Sequence, residues 1–416
     1  MKKVLVIGSG GREHAIVYAL SRSTQVEHIF CAPGNAGIAS LAECVAISDT
    51  DVPALLAFAQ ANQIDLCVVG PEASLAAGIV DAFREAGIPI FGHTKAATQI
   101  ESSKEFAKQL MARHNVPTAA YRSFSAYEEA IAYVRSRGTY PTVLKYDGLA
   151  AGKGVVIAPN EAEADRALRD MLVGEAFGKG KVVIEDYLQG PEFSFMAFVD
   201  HHRVYPMPLS QDHKRAFDGD LGPNTGGMGA YTPLPFISPE EEQWGLTHIL
   251  QPVADAMADE GRPLTGVLYG GLMKTPDGIR VIEFNARFGD PETEVVLPLL
   301  ETDAYTVFHA IATGEPLPPL SWRKQATVGV VMASKGYPGS YTKGAEIFGV
   351  ADFDGLVLHM GTTLSEGRLL TKGGRVLMCI AHGRDIPAAQ QKVYAEIGKI
   401  HCDNLFYRND IAHQAL

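Results

Sequence analysis

The chain has 416 residues, 46% of them hydrophobic and 20% charged, with a formal net charge of −12. That length exceeds one hydrophobic core and predicts roughly two to three domains. The acidic balance excludes broad binding to a nucleic-acid backbone, which needs a basic face, and no apolar run approaches the roughly 20 residues that span a bilayer.

The first residues, Met1-Lys2-Lys3-Val4, enter a strand directly, with no apolar h-region or cleavage site, so a cytoplasmic location is expected. The cysteines (Cys31, Cys44, Cys67, Cys379, Cys402) are scattered and form no C-x-x-C pair, so they read as reduced thiols rather than as zinc ligands or a disulfide framework. The whole reads as a small-molecule enzyme.

Residues 1–100 alternate strand and helix. Val4–Ile7, His28–Cys31, Cys44–Ile47, Leu66–Val69 and Pro89–Phe91 read as strands, and helices are expected near 12–22, 51–62 and 75–86. This predicts a doubly wound parallel sheet. Helices near 94–114 lead into a second unit, 101–325. Within it, 118–200 reads as a smaller α+β unit. Its strands are 119–124, 142–145, 155–157, 181–186 and 192–199, and its helices lie near 126–136 and 160–172. A Gly- and Pro-rich loop (210–236), a long helix near 238–260 and a hairpin over 264–284 follow. The hairpin turns at Pro276-Asp277-Gly278. Residues 315–325 read as a linker. The tail, 326–416, is β-rich: Thr327–Ala333, Phe348–Val350, Val357–Met360, Arg368–Leu370 and Val376–Ala381, then a helix near 386–398.

The most informative run is Ile279–Asn285 followed by Arg287-Phe288-Gly289-Asp290-Pro291-Glu292. Side chains alternate along a strand, so Glu283 and Asn285 share one face and offer two hard oxygen ligands suited to Mg²⁺. A cation (Arg287) and acids (Asp290, Glu292) follow on a loop. Together they describe a site for phosphate chemistry, although a hairpin with a polar face would also read this way.

Two glycine-rich turns stand upstream. Gly8-Ser9-Gly10-Gly11-Arg12-Glu13-His14 joins a strand to a helix, as a dinucleotide fingerprint does. Yet Glu13 stands where G-x-G-x-x-G needs glycine, and Cys31–Asn35 lacks the ribose-binding acid. NAD is therefore disfavoured. Glycine amides at a helix N-terminus still suit an anion, as they suit a tight packing turn. Lys145–Gly154 is no P-loop, because a spacer residue is missing, Gly154 replaces the hydroxyl and a strand follows. It reads as a flap over a triphosphate or as a surface hairpin. Glu185–Leu188 and Glu192 suit an adenine hinge and a ribose contact. Asp212–Arg215 and Gly222–Gly229 form a loop whose amides can converge on an anion.

Taken together these residues resemble the phosphoribosylamine–glycine ligase family of ATP-grasp enzymes. The resemblance runs through Gly8–Ala15, Val69–Glu72, Asp147–Val155, Asp212–Gly229, Arg287–Glu292, Gly336–Gly339 and Tyr407–Ile411, which is essentially the whole chain. It implies an N-terminal doubly wound domain (1–100), an ATP-grasp core (101–325) with a mobile α+β lid about 118–190, and a C-terminal β-rich domain (326–416). It implies ligation of glycine to 5-phosphoribosylamine by a monomer, with ATP as substrate, Mg²⁺ or Mn²⁺ as metal, and neither nucleic acid nor membrane as partner.

By carry-over, Lys104 and Lys145 contact ATP phosphates, Gly148, Gly152, Lys153 and Gly154 form the flap, and Glu185, Tyr187 and Leu188 line the adenine hinge. Glu192 takes the ribose, and Glu283 and Asn285 take the metal. Arg287, Lys153, Asp212 and Lys214 are the expected catalytic residues. Gly8, Gly10, Gly11, Asn224, Thr225, Gly226, Gly227, Arg287 and Asp290 are expected around glycine and phosphoribosylamine. In one departure, Gly270-Gly271-Leu272-Met273 is apolar where many ATP-grasp members carry a further acid. The rivals are another purine-pathway ATP-grasp enzyme, a pyridine-nucleotide oxidoreductase and a non-catalytic nucleotide-binding regulator.

Overall fold

The computed structural model describes residues 1–148, 154–174 and 180–416. The N-terminal sheet is parallel throughout, in the order Glu43–Cys44, Val26–Pro33, Lys2–Gly8, Leu66–Val69, Ile90–Phe91. Val4, Leu5, Val6 and Ile7 are all fully buried, so both faces are covered, as expected of a doubly wound sheet. The strand order reverses at Lys2–Gly8. The turn after Gly8 and the Gly70–Glu72 segment thus leave neighbouring strands at their carboxyl ends, where such folds bind ligands. The helix expected near 75–86 is two, Glu72–Ala76 and Ile79–Glu85, because Gly78 between them takes φ +87°.

The central sheet is antiparallel, in the order Arg203–Pro206, Glu192–Asp200, Thr265–Thr275, Gly278–Asn285. A second antiparallel sheet, Tyr121–Phe124, Val182–Asp186, Thr142–Tyr146, Val155–Ala158, carries the helices Tyr127–Arg137 and Glu161–Leu172 over its own small core. The strand expected at 192–199 in that smaller unit belongs instead to the central sheet. The reason is its composition. Phe193, Phe195, Ala197 and Val199 pack into one core, while Met196 and Phe198 pack into another, so it needs cover on both faces. The long helix comprises Pro239–Gly245, a π turn at Leu246–Leu250 and Gln251–Asp259. The π turn sits just ahead of Pro252, which lacks an N–H to donate.

The Gly- and Pro-rich segment 210–236 is not a free loop. Gln211–Asp212 and Gly229–Thr232 extend the C-terminal sheet, which continues through Ala326–Ser334, Arg375–Gly383 and Leu356–His359. Met228, Ala230 and Tyr231 are buried, and that apolar core draws the segment in. Arg215–Phe217 and Leu221–Asn224 form a small hairpin. The strand expected at Phe348–Val350 is a single bridge to His401 followed by a 3₁₀ turn.

Phe91 of the first sheet, Phe198 of the central sheet, Phe288 and Phe308 pack ring to ring, with centroids of Phe91 and Phe288 5.9 Å apart. This cluster fixes the Arg287–Glu292 segment between the two sheets.

Candidate active site

The strand Gly278–Asn285 carries the centre of the site. Its register against Thr265–Thr275 shifts at Gly271/Leu272: Glu283 faces Gly271 while Val281 faces Leu272, leaving Ile282 as a bulge. The Ile282 carbonyl is thereby turned to accept from Lys145 Nζ at 2.8 Å. Glu283 and Asn285 both line a cleft between this strand and the smaller sheet. Glu283 is half-buried and forms no hydrogen bond or ion pair with any described residue. Burial pushes its carboxyl up, but Lys214, Lys145, Lys104 and Arg287 together hold it below its ordinary value. Asn285 Oδ1 accepts from Arg287 Nη2 at 3.3 Å.

Lysines gather on the opposite wall. Lys104 opens the helix Lys104–Arg113, which Ser103 caps by accepting from the Phe106 amide, and its Nζ donates to the Gly148 carbonyl at 3.3 Å. Lys145 Nζ lies 3.0 Å from Glu185 Oε1, and Lys108 Nζ lies 3.0 Å from Glu185 Oε2. Glu185 thus lines the cleft with its carboxylate pinned between two lysines. Tyr187 and Leu188 follow the end of Val182–Asp186 outside the ladder, Tyr187 being exposed. Gly154 lines the cleft beside Gly148. Gly152 and Lys153 lie outside the described residues.

Glu192 Oε2 pairs with Lys214 Nζ at 2.8 Å, so the expected ribose contact and an expected catalytic lysine hold each other. Burial favours the neutral amine of Lys214, but Asp212, Glu192, Tyr269 and Glu283 keep its pKa well above the ordinary value. Burial, with Glu292 and Glu192, pushes the Asp212 carboxyl up to about 7 against the pull of Lys214.

Glu292 corrects an expectation. It is not a loop acid but the first residue of the helix Glu292–Val296, and its buried carboxylate accepts from Ser194 Oγ (2.9 Å) and Tyr269 Oη (2.8 Å).

Arg287 lies within 3.2 Å of Glu101 and 3.5 Å of Glu72, acids from two other elements. Beside it the first glycine turn meets the Asp290 segment. Gly10 donates its N–H to Glu13 Oε2 at 2.6 Å, and Arg12 donates to the Phe288 carbonyl at 3.3 Å. A Cβ on Gly11 would sit 2.6 Å from Glu294 Oε1 and 2.9 Å from Met360 Cγ, so any side chain there forces its neighbours to shift. Gly8 takes φ +123° at the strand exit. Asp290 pairs with Arg375 at 2.9 Å.

Arg375 Nη1 also donates to the carbonyls of Gly226 (2.9 Å) and Asp290 (3.2 Å), and Tyr337 Oη accepts from the Gly226 amide at 2.9 Å. Thr225 Oγ1 donates to the Lys214 carbonyl and accepts from the Gly227 amide, while Asn224 is exposed opposite Arg215. The structure therefore gathers Asp290, Gly226 and Gly227 around Arg375, with Gly10 beside the Asp290 carboxylate.

Sequence reasoning missed Lys108, Glu101, Glu294 and Arg375 as site residues. Lys108 was legible as the residue one helical turn after Lys104. Arg375 carried no local signal, since its partners lie some way back in the chain.

Residues 2–101, 102–293 and 327–414 match the N domain, the ATP-grasp (A) domain and the C domain of phosphoribosylglycinamide synthetase. The phosphoribosylamine–glycine ligase of Halalkalibacterium halodurans is 52% identical over 99% of this chain and 97% of its own. The crystal structure of phosphoribosylamine–glycine ligase from Thermotoga maritima superposes with a TM-score of 0.87 at 32% identity, covering 99% of this chain and 100% of that one. Biotin carboxylase from Campylobacter jejuni shares the fold, at a TM-score of 0.76 and 16% identity over 98% of this chain and 93% of its own. Matched along its whole length in sequence and in structure, the chain belongs to the phosphoribosylamine–glycine ligase family.

Proposed function

We propose that this chain joins glycine to 5-phosphoribosylamine, converting ATP to ADP and phosphate and forming glycinamide ribonucleotide through a glycyl phosphate. The observation that carries the reading is Glu283: a carboxylate with no partner among the described residues, held ionised by four cations, at the seam between the lysine-lined cleft and the glycine turns. Family membership supplies the substrates.

A glycine carboxylate is a poor acyl donor because it would have to expel oxide. Phosphorylation converts that oxygen into a phosphate leaving group, and such transfer is catalysed mainly by positioning and charge. Lys104 and Lys145 flank the transferring phosphoryl, and by resemblance Gly148, Gly152, Lys153 and Gly154 form the flap that closes over it. The unladdered backbone of Tyr187–Leu188 presents donors and acceptors to adenine, and Glu192 exchanges Lys214 for the ribose. Glu283 and Asn285 fit a hard divalent cation such as Mg²⁺ or Mn²⁺: one is an ionised carboxylate without a partner among the described residues and the other an amide oxygen whose partner is a long contact to Arg287. Such a cation neutralises charge on the nucleotide phosphates.

Arg287 orients the glycine carboxylate and then stabilises the tetrahedral oxyanion formed on amine attack. Asp212, raised toward neutrality, accepts the proton that the amine sheds. Gly8, Gly10, Gly11, Asp290 and the loop Asn224, Thr225, Gly226, Gly227 frame the phosphoribosylamine. The domains divide at about 100 and 325 with the lid at about 118–190, and the enzyme acts as a cytoplasmic monomer. Among the described residues no helix is long and apolar enough to cross a membrane.

Omission assays test the reading. ADP release should require Mg-ATP, glycine and freshly generated phosphoribosylamine together. Release that ignores glycine but responds to another carboxylate would move the chain to a different purine-pathway ligase.

A further inference from the structure

The wall of the nucleotide cleft contains a buried lysine that the proposed chemistry does not use. Lys108 is 2% exposed, and Glu185, its carboxylate partner, is 3% exposed. A buried ion pair is weak evidence for stability, since desolvation offsets most of the attraction. A third charge in the same place is harder still to explain by folding alone.

Glu185 is shared, with Lys145 Nζ on one oxygen and Lys108 Nζ on the other, each at 3.0 Å. Lys108 Nζ also donates to Thr118 Oγ1 at 2.8 Å, and Thr118 Oγ1 donates to the Val281 carbonyl at 2.7 Å. Lys145 reaches the adjacent Ile282 carbonyl, at the bulge before Glu283. Two lysines, one carboxylate and one hydroxyl therefore tie the smaller sheet to the strand that carries Glu283 and Asn285.

We infer that Lys108 is a positioning residue for ATP: by holding the far oxygen of Glu185, it fixes that carboxylate and leaves Lys145 a net positive charge to direct at the nucleotide phosphates. Without Lys108, Glu185 and Lys145 form an isolated neutral pair, and the ammonium turns from the phosphates toward the carboxylate. The assignment rests on the ATP-dependent reading above but not on the identity of the acceptor.

The groups facing Lys108 are Glu185, Lys145 and Asp186 from the smaller sheet, Lys104 from its own helix, and the Tyr121 ring 5.6 Å from its ammonium. Burial first, with Lys145, brings the Lys108 ammonium down to about 8 against the pull of Glu185. Mg-ATP affinity should therefore weaken as pH rises through about 8, when Lys108 sheds its proton.

The test is Mg-ATP binding by calorimetry, without glycine or amine, on the full chain. Lys108→Met, which keeps the volume and removes the charge, should weaken binding about tenfold, the equivalent of one pKa unit of interaction. It should also abolish the weakening between pH 7 and 9 expected of the wild type. Combined with Glu185→Gln, the loss should be smaller than the sum of the two single losses, because Lys145 is then released from its pair. Unchanged affinity and an unchanged pH profile in a folded Lys108→Met variant would overturn the assignment. So would a double variant weaker by the sum of the two singles, which marks a purely structural role. Should the wild type bind Mg-ATP yet fail to ligate glycine, the acceptor reading falls and this test still stands.

Discussion

Glu283 is the residue on which the proposed chemistry turns. It has no partner among the described residues, and Gln keeps its shape, so Glu283→Gln should leave the melting temperature nearly unchanged. Turnover should fall by about 10²–10³-fold, the usual cost of losing one electrostatic contact to a developing charge. A wild-type rate in a folded variant would remove the metal assignment. Gly11 is constrained differently: a Cβ there meets Glu294 Oε1 at 2.6 Å and Met360 Cγ at 2.9 Å. Gly11→Ala should destabilise by about 1–3 kcal/mol through overpacking, read as a lowered urea midpoint. The Glu283–Asn285 pair was legible because strand alternation alone puts both on one face. Glu294 was not, since a fully buried carboxylate with no hydrogen-bond partner among the described residues has no signature in local spacing.

Among elements, the segment Leu221–Met228 owes its shape to the C-terminal sheet rather than to itself. Arg375 and Tyr337 hold its backbone, and buried Arg408 ties its base to the tail by donating to the Arg215 carbonyl (3.0 Å) while pairing with Asp220 and Asp410. Arg375→Lys keeps the charge but loses the planar fork. It should raise KM for phosphoribosylamine by about tenfold, the loss of about one charged hydrogen bond, and leave Mg-ATP affinity intact. An equal loss in both would mean the segment serves the nucleotide instead. The same long-range contacts explain why 210–236 reads as a loop in sequence. Glycine and proline density marks irregular backbone, whereas the pairing of Gly229–Thr232 with Ala326–Ser334 is decided by a strand nearly a hundred residues away. The N-terminal sheet, built from short apolar strands alternating with helices, was readable from periodicity alone. The strand 192–199 was readable as a strand but not as a member of its sheet, because adjacency in sequence favoured the smaller unit.

At the scale of the molecule, buried histidines join the units and make stability depend on pH. His14 on the first helix accepts from the His359 amide of the C-terminal sheet at 2.8 Å, and burial brings these imidazoles down to about 3 and about 4. His93 links the first and central sheets: its Nδ1 accepts from the Thr265 amide at 2.9 Å and its Nε2 meets the Val267 carbonyl at 2.8 Å. That arrangement requires a neutral ring, and burial lowers its pKa to about 4. Because the folded value lies below the unfolded one, His93 stabilises the fold above pH 6.5 and loses that contribution as pH falls from there toward 4. Asp212 and Glu294, raised by burial, act in the opposite sense over the same range. Comparison with His93→Gln isolates the histidine. The wild type should lose about 2 kcal/mol more than this variant between pH 7 and pH 5, measured by urea unfolding. Parallel pH profiles would show that His93 is not held neutral.

The central claim is that glycine is activated as its acyl phosphate before the amine attacks. The direct measurement is the fate of oxygen from carboxyl-labelled ¹⁸O-glycine, incubated with the enzyme, Mg-ATP and phosphoribosylamine. The account predicts that phosphate released alongside glycinamide ribonucleotide carries the label. Unlabelled phosphate accompanying the same product would contradict it.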